Sequence, residues 1–267
     1  MDRITEPKER YSLRKALTLL EREIKVLKDT DTHILDQSTL KRYRIRTLPL
    51  SLDGDGSMTP RFFSPLVADS IPEPTPEYVD DEYSADSALW CSEWGRSIYM
   101  YLDAYIRKLA LEFPDIWRVW SCKDIADYNF GDLYRTFEPA FGTLLIWHVA
   151  KASQPHIQCI MDNNMDVGDD HLLRGEVLTV IRIMLGQLKQ KAFVNHMIAP
   201  VLLFSMNRRH PRVLEAYFDG YELVIRHTKT YNFTFMNVAG FKTFAQWWVG
   251  NPVGDTTKRG IRALKII

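Results

Sequence analysis

The sequence has few cysteines, no net charge and no long uninterrupted apolar run. Its three cysteines, Cys91, Cys122 and Cys159, form no Cys-x-x-Cys pair, which argues against a disulfide framework and favours a reducing compartment, the cytoplasm or the nucleus. No run of about 18 uncharged apolar residues exists, and the charged start MDRITEPKERYS does not resemble a signal peptide. Because 34 basic residues balance 34 acidic ones, no overall positive field draws the chain to nucleic acid.

Metal and cofactor motifs are incomplete. The segment DNNMDVGDDHLL (162–173) begins like a calcium loop, but Val167 stands where the turn needs glycine and Leu173 where the loop needs a bidentate glutamate. No glycine-rich phosphate loop occurs, and the seven histidines lack His-x-x-x-His spacing. We therefore expect no metal site and no cofactor.

Composition divides the chain into three predicted regions. Residues 1–46 contain an amphipathic helix over 9–29, which packs either on the body or on a protein partner, followed by the basic segment KRYRIR (41–46). Residues 47–86 are rich in proline and acidic side chains and lack periodicity, which predicts an acidic linker. Residues 87–267 are predicted to form a globular α/β domain.

Hydrophobic periodicity predicts an α-β-β-β-α order for the C-terminal half. A helix over 169–190 is followed by an apolar strand over 196–206, a hairpin over 208–229 and a helix over 239–250. Residues 141–152 (FGTLLIWHVAKA) fit a buried strand or a short helix. We therefore expect a central mixed sheet with a helical N-terminal extension.

The hairpin RRHPRVLEAYFDGYELVIRHTK turns at Asp219-Gly220, a dipeptide typical of two-residue loops. Such a loop places Glu215 diagonally between Glu222 and Arg226 on one face. The expected register is Phe218–Tyr221, Ala216–Leu223, Leu214–Ile225 and Arg212–His227.

The polar face of this hairpin has two interpretations. It is either a solvated sheet face with a weak ion pair or the lining of a site in which two glutamates share one bound cation. In the second interpretation, Glu215 and Glu222 are the catalytic residues. The substrate-binding residues are then predicted to be Arg208, Arg209, His210, Tyr217, Arg226 and Lys229.

The order α-β-β-β-α, preceded by DYNFGDLYRTFEPAFGTLLIWHVAKA, resembles the PD-(D/E)XK nuclease-like fold. In this resemblance Asp132 stands for the metal-binding acid and Lys151 for the lysine. The position two residues before Lys151 holds Val149, so the second acidic ligand is absent. The resemblance implies a non-catalytic module that binds nucleic acid or a protein partner through its basic turn and N-terminal helix.

Two further segments, HMIAPVLLFSMNRRHPRVLEAYFDGYELVIRHTKTYNF and FKTFAQWWVGNPVGDTT, are similar to a widespread set of fungal proteins, over roughly residues 90–258. That set includes the arginine-containing cyclodipeptide synthases of secondary metabolism. The resemblance implies a transferase that joins arginine to a second amino acid, using aminoacyl-tRNA as the donor and no cofactor. The basic residues of the hairpin and of 41–46 would then contact the tRNA acceptor end, although ordinary solvated turn charges explain them equally well.

Overall fold

The computed structural model describes residues 6–54, 56–67, 71–74, 94–123, 134–135 and 141–264. These residues form a mixed α/β fold, as predicted. Its helices are α1 (Lys8–Val26), α2 (Gln37–Arg42), α3 (Trp94–Glu112), α4 (Ile116–Val119), α5 (Arg174–Lys189), α6 (Val238–Trp248) and α7 (Lys258–Leu264).

The strands form one large sheet and two small ones. The small sheets pair β1 (Ile34–Leu35) with β8 (Leu172–Leu173) and β3 (Phe63–Ser64) with β12 (Asn251–Pro252). The large sheet contains β2 (Ile45–Pro49), β4 (Trp120–Lys123), β5 (Tyr134–Arg135), β6 (Phe141–Val149), β7 (Ile157–Asn163), β9 (Val201–Asn207), β10 (Arg212–Phe218) and β11 (Leu223–His227). Its strand order is β2-β11-β10-β9-β7-β6-β4, with β5 also paired to β6.

Both faces of the large sheet are covered by helices. Helix α5 packs on β9 from one side, and α1 lies against α5 through its buried stripe of Leu13, Leu17, Leu20 and Ile24. The N-terminal helix therefore packs on the body, which was one of the two predicted alternatives. Helices α3 and α6 contact each other and cover the opposite face.

The predicted order α-β-β-β-α is confirmed as α5, β9, β10, β11 and α6. Residues 141–149 form strand β6, and residues 150–152 form a single 3-10 turn that contains positive φ angles at Lys151 and Ala152. The strand interpretation of this segment is therefore correct. Strands at the centre of a sheet covered on both faces are apolar throughout, which is why the local pattern left helix and strand open.

The hairpin register differs from the predicted one by two residues. Leu214 pairs with His227 and Phe218 with Leu223, so residues 219–222 form a four-residue loop. The Asp219 side chain accepts hydrogen bonds from the backbone N–H groups of Tyr221 and Glu222, both at 2.8 Å, and this turn prevents the shorter loop. A shift of two leaves every side chain on its predicted face.

The linker prediction for 47–86 is wrong where the structure describes it. Strand β2 crosses the predicted boundary between residues 46 and 47 and pairs in parallel with β11. The segment is rich in proline and acidic residues, and its buried apolar residues have no periodic spacing, so the sequence did not indicate their burial. These residues are Leu50, Leu52, Phe62, Phe63 and Ile71. Most of the acidic tract at 69–86 lies outside the described residues.

Candidate functional site

One edge of the large sheet collects the carboxyl ends of its mutually parallel strands. Strands β2 and β11 are parallel, as are β7 and β9, and β10 runs antiparallel to both β9 and β11. These four strands therefore end at the same edge of the sheet, β2 at Pro49, β11 at His227, β9 at Asn207 and β7 at Asn163. Ligands of α/β sheets commonly bind at such carboxyl edges.

A fully buried ion pair organises the centre of this edge. Arg212, the first residue of β10, donates to Glu176 of α5 through Nε at 3.0 Å and through Nη2 at 2.5 Å. Neither side chain is exposed. Arg212 also donates to the carbonyl of His171 at 2.9 Å, and Glu176 accepts the N–H of Leu173 at 2.8 Å. The pair thus fixes the first turn of α5 and the loop before it.

Polar side chains extend this pair across the ends of β9 and β7. Asn207 donates to Glu176 at 3.3 Å, Ser205 donates to Asn207 at 2.8 Å, and Asn163 donates to Ser205 at 2.8 Å. All three are buried. Because a connected network satisfies buried polar groups that would otherwise destabilise the fold, it gives this edge a single arrangement.

Burial alone would raise the pKa of Glu176. The charge of Arg212, its hydrogen bonds and the Leu173 N–H oppose that effect and hold the pKa below its ordinary value. Glu176 is therefore ionised at neutral pH and complements the positive end of the α5 dipole.

Beside the pair lies an open groove of about 620 Å³. We call it the edge groove. It runs between the loop after β2, the loop before α5 and the residues after β11. Its lining comprises Gln37, Thr47, Leu48, Pro49, Leu50, Ser51, Leu52, Asp53, Met58, Asp169, Asp170, His227, Thr228, Lys229, Thr230 and Tyr231.

Three exposed carboxylates line the edge groove, namely those of Asp53, Asp169 and Asp170. Asp169 is oriented by the N–H of Thr230, which donates to its Oδ1 at 3.1 Å. Half-buried Tyr231 lines the same groove, its ring packed edge-on against Phe244 with centroids 4.9 Å apart. Burial, and next the nearby Asp53, raise the pKa of Tyr231, so its hydroxyl stays protonated. Carboxylates beside an aromatic ring suit a flat cation.

His227 is the titratable base of the edge groove. Its Nδ1 lies 3.1 Å from the carbonyl of Thr228. Since a carbonyl only accepts hydrogen bonds, Nδ1 carries the proton and Nε2 of the neutral ring holds the lone pair. Partial burial, and then the charge of Arg212, lower the pKa of His227. The ring is therefore neutral at pH 7 and available as a proton acceptor.

The structure places Glu215 in a different environment from either predicted one. It is fully buried, and its Oε1 accepts the N–H groups of Arg61 and Phe62 at 2.6 and 2.7 Å. Arg226 donates to its Oε2 at 3.2 Å and to the carbonyls of Ser57 and Thr59, both at 2.6 Å. Glu215 is therefore neither on a solvated face nor beside the edge groove, because residues 57–62 cover it.

The two predicted catalytic glutamates do not share a cation. Glu222 lies in the hairpin loop, where its Oε2 is 3.2 Å from Nε of Arg46. Tyr217 is buried next to Phe62, with ring centroids 5.1 Å apart. The two-residue register shift moved Glu222 out of the strand, so its predicted diagonal contact with Glu215 does not exist, whereas the predicted contact of Glu215 with Arg226 does.

The remaining predicted binding residues lie along the carboxyl edge, and the structure brings Arg208 and His210 together at Asp166. Arg208 donates to Asn164 at 3.2 Å and to Asp166 at 3.1 Å, and Arg209 lies 3.6 Å from the centroid of the Trp94 ring. His210 lies 3.3 Å from Asp166. Among the predicted set, Lys229 lines the edge groove.

The sequence analysis did not identify the three aspartates of the edge groove as site residues. Asp53 falls in the segment predicted as a linker, and Asp169 and Asp170 were assigned to the first turn of a helix that begins only at Arg174. The one available signal was the polar stretch HTKTY directly after the last strand of the hairpin.

Of the two residues expected from the nuclease resemblance, the structure describes only Lys151. Asp132 lies outside the described residues, and Lys151 sits in the 3-10 turn after β6. Within the described ranges, no three His, Cys, Asp or Glu side chains group closely enough to hold a metal ion. No helix in the same ranges combines the length and apolarity needed to cross a membrane.

Comparison with known proteins gives no relative from which a function can be transferred. No family model, curated protein or solved structure matches the chain.

Proposed function

We propose that the edge groove binds the arginyl group of a substrate and that the chain joins arginine to a second amino acid, with aminoacyl-tRNA as donor. The product is an arginine-containing cyclic dipeptide. The observation that carries the ligand class is that Asp53, Asp169, Asp170 and Tyr231 all line this one groove. The reaction class comes from the resemblance to the fungal synthases.

A guanidinium group matches this lining in both shape and charge. It is planar, always charged near neutral pH and able to donate two parallel hydrogen bonds to a carboxylate. Its face also stacks on an aromatic ring. The apolar wall of Leu48, Leu50 and Leu52 suits the methylene stem of an arginine side chain.

His227 takes the role predicted for Glu215 and Glu222. Its Nε2 accepts a proton from the attacking α-amine, which then forms an amide bond with the ester carbonyl of the aminoacyl donor. The ester C–O bond breaks and the tRNA hydroxyl leaves with a proton. A second attack within the dipeptidyl ester closes the ring in the same way. An already activated ester needs orientation and proton transfer rather than a cofactor.

Ligand binding is tested by calorimetry with arginine and citrulline, which differ in charge but hardly in shape. We expect arginine to bind roughly tenfold more tightly, because only it forms charge-assisted hydrogen bonds. The double variant Asp169→Asn/Asp170→Asn keeps the acceptor for Thr230 and should abolish this preference. Asp115→Asn, an exposed change directly before α4, is the matched control.

Product formation is tested by expressing the chain in a bacterial host and searching extracts by mass spectrometry for arginine-containing diketopiperazines. His227→Gln should remove the product while leaving arginine affinity near that of the parent. Equal affinity for arginine and citrulline would refute the ligand class. Arginine binding without any new product would refute the reaction.

A further inference from the structure

The opposite, amino edge of the sheet carries an exposed basic and aromatic cluster. We call it the amino-edge platform and define it as Lys41, Arg42, Tyr43, Arg44, Arg46 and Tyr221. It is formed by the end of α2, the start of β2 and the β10–β11 loop. Every member except Tyr43 is exposed, and the Tyr221 ring is 61% exposed.

Two of its arginines lie over aromatic rings. The Arg44 guanidinium is 4.9 Å from the centroid of Tyr221, and that of Arg42 is 5.6 Å from the centroid of Tyr43. The backbone of Arg44 is in the left-handed region, with φ of 55°, which residues other than glycine rarely adopt. This unfavourable conformation directs the chain from α2 into β2 and sets Arg44 beside the hairpin loop.

The position of Tyr221 is fixed by its own loop. Asp219 accepts the N–H of Tyr221 at 2.8 Å, and Arg46 contacts both Asp219 at 3.5 Å and Glu222 at 3.2 Å. The acidic groups of the loop are thereby paired with Arg46. Within the described part of the chain, Lys41, Arg42 and Arg44 form no ion pair, so their charges are available to an anion.

We propose that the amino-edge platform binds single-stranded RNA. Uncompensated Lys and Arg side chains neutralise phosphates, and exposed tyrosines stack on unpaired bases, a combination typical of single-strand binding. An acidic polypeptide would use the charges but not the ring face of Tyr221. The inference deepens the proposed function and rests on it for the choice of RNA, since an aminoacyl-tRNA ends in unpaired nucleotides.

The platform and the edge groove lie at the two ends of β2. This strand has five residues, so its ends are about 15 Å apart. Helix α2 contacts β2; its first residue, Gln37, lines the groove, and its last two residues, Lys41 and Arg42, belong to the platform. A short unpaired tail held at the platform can therefore extend toward the groove.

The test measures fluorescence anisotropy of a labelled RNA of about 12 nucleotides, single-stranded or in a duplex. We expect the single strand to bind more tightly and its affinity to fall with salt. Tyr221→Ala should weaken binding about fivefold or more, whereas Tyr221→Phe keeps the stacking face and should bind like the parent. Arg44→Ala should reduce the salt slope by about 0.7. Arg118→Ala, an exposed change on α4, should have no effect.

Two further arms separate this proposal from the proposed function. Asp169→Asn/Asp170→Asn should leave RNA affinity unchanged, and Tyr221→Ala should leave arginine affinity unchanged. No binding at low salt, or equal binding by the Tyr221→Ala and Tyr221→Phe variants, would overturn the platform. Competition by polyglutamate with no effect of Tyr221→Ala would assign the surface to an acidic polypeptide and would likewise overturn it.

Discussion

Strand β10 carries a buried glutamate–arginine pair on each of its faces. On the α5 face Arg212 binds Glu176, and on the opposite face Glu215 binds Arg226. The first pair is bidentate and connects a helix to the sheet, whereas the second has one side-chain contact and holds the backbone of residues 57–62.

The same residue types therefore reach opposite electrostatic outcomes. The pKa of Glu176 is lowered, because Arg212 more than offsets its burial. The pKa of Glu215 is raised, because burial outweighs the Phe62 N–H and the charge of Arg226. Arg226 divides its donors between Glu215 and two carbonyls, which weakens its contact with the carboxylate. The comparison indicates that contact geometry, rather than burial, determines how strongly each carboxylate stays ionised.

The largest expected effect is that of Glu176→Gln. The amide would present N–H groups to Arg212 and leave a buried guanidinium without a counter-charge, which costs about 3 to 5 kcal/mol of unfolding free energy. Urea denaturation at pH 7 measures this loss. Glu21→Gln is the matched control, since Glu21 pairs with Arg182 of α5 but is partly exposed. A loss no greater than that of the control would contradict the central role given to the Glu176–Arg212 pair.

A smaller effect is expected for Glu215→Gln. The amide oxygen keeps the N–H groups of Arg61 and Phe62, and Arg226 keeps the carbonyls of Ser57 and Thr59. We therefore expect a loss of about 1 to 3 kcal/mol by the same denaturation at pH 7. Faster hydrogen exchange should accompany it at the two backbone N–H groups that bind Glu215.

The pH dependence of these two variants should have opposite signs. Glu176 has a lowered folded pKa, so its contribution is present above the unfolded pKa and is lost as the pH falls through the folded pKa. Glu215 has a raised folded pKa, so the parent gains stability as the pH falls through that value. The cost of Glu176→Gln should therefore shrink on acidification, and that of Glu215→Gln should grow. If the stability costs of both variants changed with pH in the same direction, the pKa values of Glu176 and Glu215 would not be shifted in opposite directions.

The smallest effect is expected for Glu222→Gln. Its contact with Arg46 is partly exposed on both sides, and such pairs contribute about 0 to 1 kcal/mol. Thermal melts at low and high salt should differ little between variant and parent, with any difference lost at high salt. A large loss that persists in salt would mean that the hairpin loop depends on this carboxylate.

The order of elements from α5 to α6, and the presence of α1, were predictable because they depend on local patterns. Short stretches of sequence are enough to identify the apolar stripe of α1, the central strands and the turn at Asp219. The faces of β10 were also predictable, since strand alternation survives a shift of two residues. The loop length was not, because it depends on which backbone groups the Asp219 side chain binds.

The candidate site was much less predictable, because it depends on residues far apart in the chain. Arg212 and Glu176 are separated by 36 positions, and nothing in either local segment indicates their contact. The burial of Glu215 results from Arg61 and Phe62, which belong to a segment whose composition suggests a linker. Burial by residues so distant in the chain produces no periodic pattern in the local sequence.

Because β2 pairs in parallel with β11, the N-terminal segment prevents β11 from being an unpaired edge strand at which other molecules could add. Strand β2 occupies the outer edge of the large sheet and satisfies the backbone groups of β11. A chain shortened to begin after residue 67 would expose the apolar edge of β11 and uncover Glu215 and Arg226 together. Unpaired apolar edges recruit strands from other molecules, so such a fragment would self-associate rather than behave as a trimmed domain.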